Sequence, residues 1–172
     1  MKKWVALLRG INVSGAKKVP MKDLKLLFEK IGFINVKTFL ATGNVVFEGK
    51  DEDLNRIEPA IEKTFGFSVD TIILPFKKIT QLISSEPFKD INVTPKTRLY
   101  VSFYKELKES KLKLPFETED ESFKILNITN IAIISVLDLE KTGTIEGMKV
   151  LEKEYGKKLT TRNFNTVLKL LK

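Results

Sequence analysis

Three times along the chain a charged, helix-favouring run ends in glycine: Glu29-Lys30-Ile31-Gly32-Phe33, Glu62-Lys63-Thr64-Phe65-Gly66-Phe67 and Glu152-Lys153-Glu154-Tyr155-Gly156. Glycine accepts the left-handed conformation just past a helix at least cost, so each joint predicts a helix end. The first two then enter β-rich sequence. Ahead of the first joint, residues 4–9 read as a strand, and residues 21–28 carry apolar side chains at helical spacing after Pro20, a favoured first-turn residue. Residues 36–41 and 45–48 read as strands joined at Thr42-Gly43-Asn44, with Gly43-Asn44 a plausible two-residue type II′ turn. An acid-led helix over 51–65 and a strand over 69–74 complete the order βαββαβ. That order is the ferredoxin-like split βαβ arrangement, with two helices on one face of a four-stranded antiparallel sheet.

After a helix over 77–84 the order partly recurs: strand 99–104, a short polar or helical stretch, strands 123–127 and 131–137, and helix 145–155. A short strand over 157–161 completes a second βαββαβ unit, and a helix over 163–171 follows. The expected fold class is α+β: two ferredoxin-like halves, 1–75 and 98–172, joined by a connecting helix and loop over 76–97. No low-complexity linker separates them, so one integrated unit with a C-terminal helix is expected. The acidic patch 117–121 is the expected mobile loop.

Composition removes many chemistries. The chain has no Cys and no His. That excludes disulfides, thiolate nucleophiles, Ser-His and Cys-His pairs, and the HExxH metal site. No run is long enough to span a membrane and no signal peptide is visible, so a cytoplasmic setting is the expectation. The net charge of +8 is uneven: residues 1–50 carry ten basic against three acidic residues (+7), residues 151–172 six against two (+4), and residues 51–150 fourteen against seventeen (−3). The positive excess lies in two terminal segments, which would form one basic face for an anionic partner if they met in space. Solubilising surface lysine is the plainer reading of the same charge.

Each of these segments holds a polar motif. Leu8-Arg9-Gly10-Ile11-Asn12 leaves the first strand, and Gly15, Lys17 and Lys18 then form a short basic loop before the Pro20 helix start. Helix N-terminal amides with nearby lysines suit a phosphate or carboxylate. The loop is not a P-loop, because the GxxxxGK[ST] spacing is missing. Thr160-Thr161-Arg162-Asn163-Phe164-Asn165-Thr166 places a possible N-cap, Thr160 or Thr161, beside more polarity than capping requires. The candidate ligand-binding residues are Arg9, Asn12, Lys17, Lys18, Asn44, Arg162 and Asn163. Against that reading, Gly10 and Asn12 could supply positive φ or an Asx turn, and Arg162 could belong to a buried hydrogen-bond network.

Leu7-Leu8-Arg9-Gly10-Ile11-Asn12-Val13, Lys18-Val19-Pro20-Met21, Gly43-Asn44-Val45-Val46-Phe47 and Thr161-Arg162-Asn163-Phe164-Asn165-Thr166-Val167 resemble the bacterial family known as domain of unknown function 1697. The resemblance spans nearly the whole chain. It implies a duplicated ferredoxin-like α/β fold and no established activity. Ser14, Thr42 and Phe164 depart from the Gly, Ser and Trp usual in that family. A Phe at 164 suits packing better than a site.

Two other signals weaken on inspection. Asp51, Asp53, Asn55 and Glu62 fit EF-hand positions, but Arg56 replaces the required glycine and Pro59 occupies position 9. The strands lack the stacking aromatics of RNA-recognition modules, although Tyr100 and Tyr104 share one face of their strand. Three functions fit: binding of an anionic small molecule, nucleotide or nucleic-acid backbone; an enzyme on a phosphorylated or carboxylated substrate; or a protein-interaction module with structural motifs. No metal site is expected, the sequence leaves any cofactor unknown, and no general base stands out.

Overall fold

The computed structural model describes all 172 residues as a mixed α+β chain with two antiparallel sheets. It comprises two compact units, Met1–Ser84 together with Leu168–Lys172, and Ser85–Val167. No helix is long and apolar enough to cross a membrane.

The first unit contains strands β1 (Lys2–Leu8), β2 (Ile34–Phe39), β3 (Asn44–Gly49) and β4 (Thr71–Pro75), with helices α1 (Met21–Lys30), α2 (Ile57–Phe65) and α3 (Phe76–Ser84). The strands lie in the order β2-β3-β1-β4, all neighbours antiparallel. Residues Val5 to Leu8 of β1 are fully buried, so the strand is apolar on both faces and reads as a continuous hydrophobic run, not an alternating one. One face carries Ala6, Leu8, Val45 and Phe47 into a core with Leu24 and Phe28 of α1 and Ile57 and Ile61 of α2. At its centre, the Phe47 ring lies 5.1 Å from Phe28, edge on, and 4.6 Å from Phe33. Such tilted aromatic packing adds attraction to the burial itself. Gly66 ends α2 at φ 81°, and its N–H donates to the Glu62 carbonyl. The acid-led segment begins as a 3₁₀ turn, Asp51–Arg56, before α2 proper.

The β2–β3 connection differs from the two-residue turn read in the sequence. Phe39 pairs with Asn44, so residues 40–43 form a four-residue loop and Asn44 is the first residue of β3. Leu40 and Gly43 both have positive φ there. Register decides this: Asn44 also pairs with Leu7 of β1, which draws it into the ladder and leaves Gly43 to make the turn.

The second unit contains β5 (Thr97–Tyr104), β6 (Phe116–Glu117), β7 (Phe123–Ile128), β8 (Ala132–Asp138) and β9 (Leu159–Asn163), with α4 (Thr144–Tyr155) before β9; α5 (Phe164–Lys169) follows β9, and its last two residues count with the first unit. The order is β6-β7-β8-β5-β9, again antiparallel throughout. Leu151 and Tyr155 of α4 pack with Phe123, Ile125, Ile133 and Leu137. No helix joins β5 to β7. Leu107, Leu112 and Leu114 instead reach the α4 cluster from irregular chain, at spacings that do not form a helical stripe. Thr160 and Thr161 are not helix caps: both lie within β9, opposite Phe103 and Ser102. Asn163 takes the capping position, its Oδ1 accepting the Asn165 N–H at 3.0 Å.

The acidic patch is tied down. The Asp120 carboxylate accepts from the Thr118 and Ser122 hydroxyls, each at 2.7 Å, and from the Ser122 N–H. Glu117 pairs with Lys124, and Glu121 with Lys141. The Thr118 hydroxyl, followed by Ser122, holds the Asp120 carboxyl down at about 2, below the usual 3.8. A carboxyl pKa depressed by folding contributes stability above the unfolded value and loses it as pH falls through the folded one. An NMR titration of Asp120 should therefore show a midpoint near 2, moving up in Thr118→Val. An ordinary midpoint in the wild type would show that these hydrogen bonds do not persist in solution.

Candidate functional site

Where β1 ends, the chain makes an unusual loop. Gly10, Asn12, Ser14, Gly15 and Lys17 all have positive φ, between 47° and 73°. Asparagine and glycine tolerate this region, whereas serine and lysine enter it only when surroundings hold them there. Asn12 provides much of that hold. Its Nδ2 donates to the Val19 carbonyl at 2.9 Å and the Ala41 carbonyl at 2.7 Å, and its Oδ1 accepts the Val19 N–H at 2.8 Å. Its own N–H donates to the Lys17 carbonyl, and the Ala16 N–H to the Val13 carbonyl. Ile11, buried to 2%, anchors the loop in the core.

Three cations stand on or beside this frame. The Arg9 N–H donates to the Asp70 carbonyl at 2.9 Å, and its guanidinium lies 3.6 Å from the exposed Asp70 carboxylate. Lys17 donates through Nζ to the Ser68 carbonyl at 2.7 Å and lies 5.9 Å from the Phe67 ring centroid. Lys18 is exposed and, with Asn12, Gly15, Pro20, Met21 and Ala41, lines an open depression of about 420 Å³ at the start of α1. Pro20 precedes that helix without a side-chain cap. The first-turn N–H groups of a helix have no partners within it and carry the positive end of its dipole. Asp23 supplies one negative charge in that turn. The chemistry on offer is cation and amide binding of an anion, with no side chain placed as a proton acceptor inside the depression.

The other candidates have different surroundings. Asn44 is fully buried, with its amide donating to the Phe39 carbonyl and the Thr42 hydroxyl, so it holds the 40–43 loop from within. Arg162 lies in β9 opposite Val101 and is 9% exposed, with Nη1 donating to the Thr161 carbonyl. Burial pushes its guanidinium down to about 10, which leaves it charged at neutral pH. Beside it, the Ser102 and Thr161 hydroxyls hydrogen bond across the strands at 2.7 Å. Asn163 caps α5 as described, and Phe164 packs on Phe88 with centroids 4.9 Å apart. Tyr100 and Tyr104 pack against the α4 cluster, and burial raises the Tyr104 hydroxyl pKa as it donates to the Thr129 carbonyl.

Sequence reasoning missed Ser68, Asp70 and Ala41, which hold Lys17, Arg9 and Asn12. Ser68 and Ala41 act through a main-chain carbonyl alone, which any residue type can supply. No side-chain signal could have marked them. The EF-hand-like acids serve ion pairs, Asp51 with Lys2 at 2.6 Å and Asp53 with Arg56 at 3.0 Å. No group of three or more acidic side chains is arranged to hold a metal ion.

Comparison with known proteins adds a family and a fold. A family model described as "Protein of unknown function (DUF1697)" matches residues 1–129. The solved structure of the conserved bacterial protein SP0830 from Streptococcus pneumoniae is similar, with a TM-score of 0.69 at 19% identity, covering 98% of this chain and 96% of that one. No curated protein matches.

Proposed function

Given that the chain belongs to the DUF1697 family, we propose that it binds an anionic, phosphate-containing ligand in the depression formed by the loop between β1 and α1. One observation carries this reading: the Asn12 clamp shapes a run of left-handed residues beside an open hollow whose one charged lining residue is Lys18. Backbone strain of this kind is costly and concentrates at functional sites. A loop already fixed in shape also loses less entropy on binding. Lys18 and the helix-start amides supply the contacts, while Lys17 and Arg9, held at Ser68 and Asp70, belong to the same basic segment of chain. Arg162 and Asn163 are read as parts of the second unit's own sheet and helix cap.

The same reading takes the first unit as ferredoxin-like, supported by its βαββαβ order and its 2-3-1-4 strand order. In the second unit, β7-β8-β5-β9 repeats that order with irregular chain in place of the first crossover helix.

A thermal-shift series with inorganic phosphate, pyrophosphate and nucleotides tests the site. Ligand at about 100 times its Kd adds about 2.7 kcal/mol of stability, a shift of several degrees for a unit this size. Lys18→Ala should leave the unliganded melting temperature nearly unchanged and remove most of the shift. An equal shift in that variant, or no stabilisation by any of the anions, would rule the site out.

A further inference from the structure

The opposite end of β1 carries a second cationic hollow, independent of the first. Lys2 and Lys3 open the strand, whereas Arg9 follows its last residue; six steps of about 3.3 Å put the two ends about 20 Å apart. Trp4 pairs with Pro75 at the end of β4, which brings Lys3 beside Phe76, the first residue of α3. The Lys3 ammonium lies 3.9 Å from the Phe76 ring centroid. Lys2 lies 6.0 Å from the Trp4 ring and 2.6 Å from Asp51. Trp4 is 7% exposed and donates through Nε1 to the Gly49 carbonyl, so it is fixed as part of the floor. Phe76 is half-buried and Pro75 exposed. Together these residues, with Lys77 and Thr80, line an open hollow of about 670 Å³ holding three lysines against one aspartate.

We infer that this hollow binds single-stranded nucleic acid, with a base on the Phe76 ring and phosphates on Lys3 and Lys77. Apolar ring surface under a rim of ammonium groups matches a ligand that alternates flat bases with charged phosphates. Base stacking on aromatics is tolerant of sequence, and the lysines follow the backbone without reading it. The Lys3 contact shows that the ring already receives a cation. A base sliding onto Phe76 displaces the Lys3 ammonium toward the adjoining phosphate, so the charge is retained at the rim. Lys2, paired with Asp51, contributes little. A simple polyanion would use the lysines and leave the ring idle, which separates the two classes of ligand.

Fluorescence anisotropy of the full chain with a labelled oligo(dT) of about 12 nucleotides tests this, a length within the usual range for one such module. Two phosphate contacts on a single strand predict that affinity falls roughly sevenfold between about 50 and 200 mM salt. Phe76→Ala should weaken binding by about tenfold, and Phe76→Tyr, which keeps the stacking face and guards against a folding defect, should stay within about twofold. Lys3→Ala with Lys77→Ala should lower the salt slope by about 1.4. Lys25→Ala, which removes an exposed α1 lysine that lines neither hollow, should bind the oligonucleotide as the wild type does. The inference fails if no salt-sensitive binding is seen, if the Phe76 and lysine variants bind unchanged, or if inorganic polyphosphate competes as well per charge as the oligonucleotide. Loss on Lys18→Ala alone would also overturn it and return the ligand to the β1–α1 loop.

Discussion

Gly43→Ala is expected to cost about 3 kcal/mol of stability, the sum of a left-handed backbone penalty near 1 kcal/mol and about 2 kcal/mol of overpacking. Gly43 has φ +76°, and an added Cβ would lie 2.7 Å from Ile11 Cδ1 and 2.8 Å from Leu8 Cβ. The Ile11 tip is not free to turn aside, because Ile11 is only 2% exposed and closely surrounded. Leu8 Cβ is fixed to the backbone of β1. The turn is also held in place, because the Leu8 N–H donates to the Gly43 carbonyl at 2.8 Å. Urea unfolding measures the loss. Gly43→Asn separates the two causes: asparagine tolerates the left-handed region, so equal damage from Asn and Ala assigns the cost to crowding. A loss below about 1 kcal/mol would show that the 40–43 loop moves away from β1.

Asn12→Ala is expected to cost about 2 kcal/mol, since three side-chain hydrogen bonds of about 1 kcal/mol each are lost and water recovers part of them. The Val19 N–H and the Val19 and Ala41 carbonyls lose their side-chain partner, and alanine has less tolerance for φ 56°. Asn12→Asp should be no better than Ala. The carboxylate can still accept from Val19 N–H, but it turns two donor contacts into repulsion against carbonyl oxygens. Hydrogen exchange at the Val19 amide should quicken in both variants, reporting the loosened loop directly. Unchanged exchange would show that the loop keeps its shape without the clamp.

These two positions show what local sequence could and could not reveal. Asn12 was readable as a residue suited to positive φ, because its chemistry favours that region wherever it occurs. Its partner Ala41 was not, since the contact spans 29 residues and uses a backbone carbonyl. Gly43 was readable as a turn residue, yet the turn's length was not. Pairing of Asn44 with both Phe39 and Leu7 moved it into β3, and a strand's register is settled by its neighbours. Similarly, Thr160 and Thr161 have good capping side chains, but β5 offered ladder partners that their own segment could not supply. Of the polar residues around Arg162, Thr161 bonds across to Ser102, Arg162 to the Thr161 carbonyl, and Asn163 caps α5.

For residues 1–84, the sequence by itself determined where helices and strands alternate and where glycine ends a helix, and it showed that Arg9, Lys17 and Lys18 follow the first strand in a basic segment. These are properties of backbone preference and hydrophobic spacing, which act over a few residues. Only the tertiary structure decided the loop's shape and the setting of each cation. Asn12 needed Ala41, Lys17 needed Ser68 51 residues away, and Lys3 needed Phe76 at the start of α3. Hydrogen bonds and ring contacts act over a few ångströms, so they exist only after sheet formation has brought distant segments together.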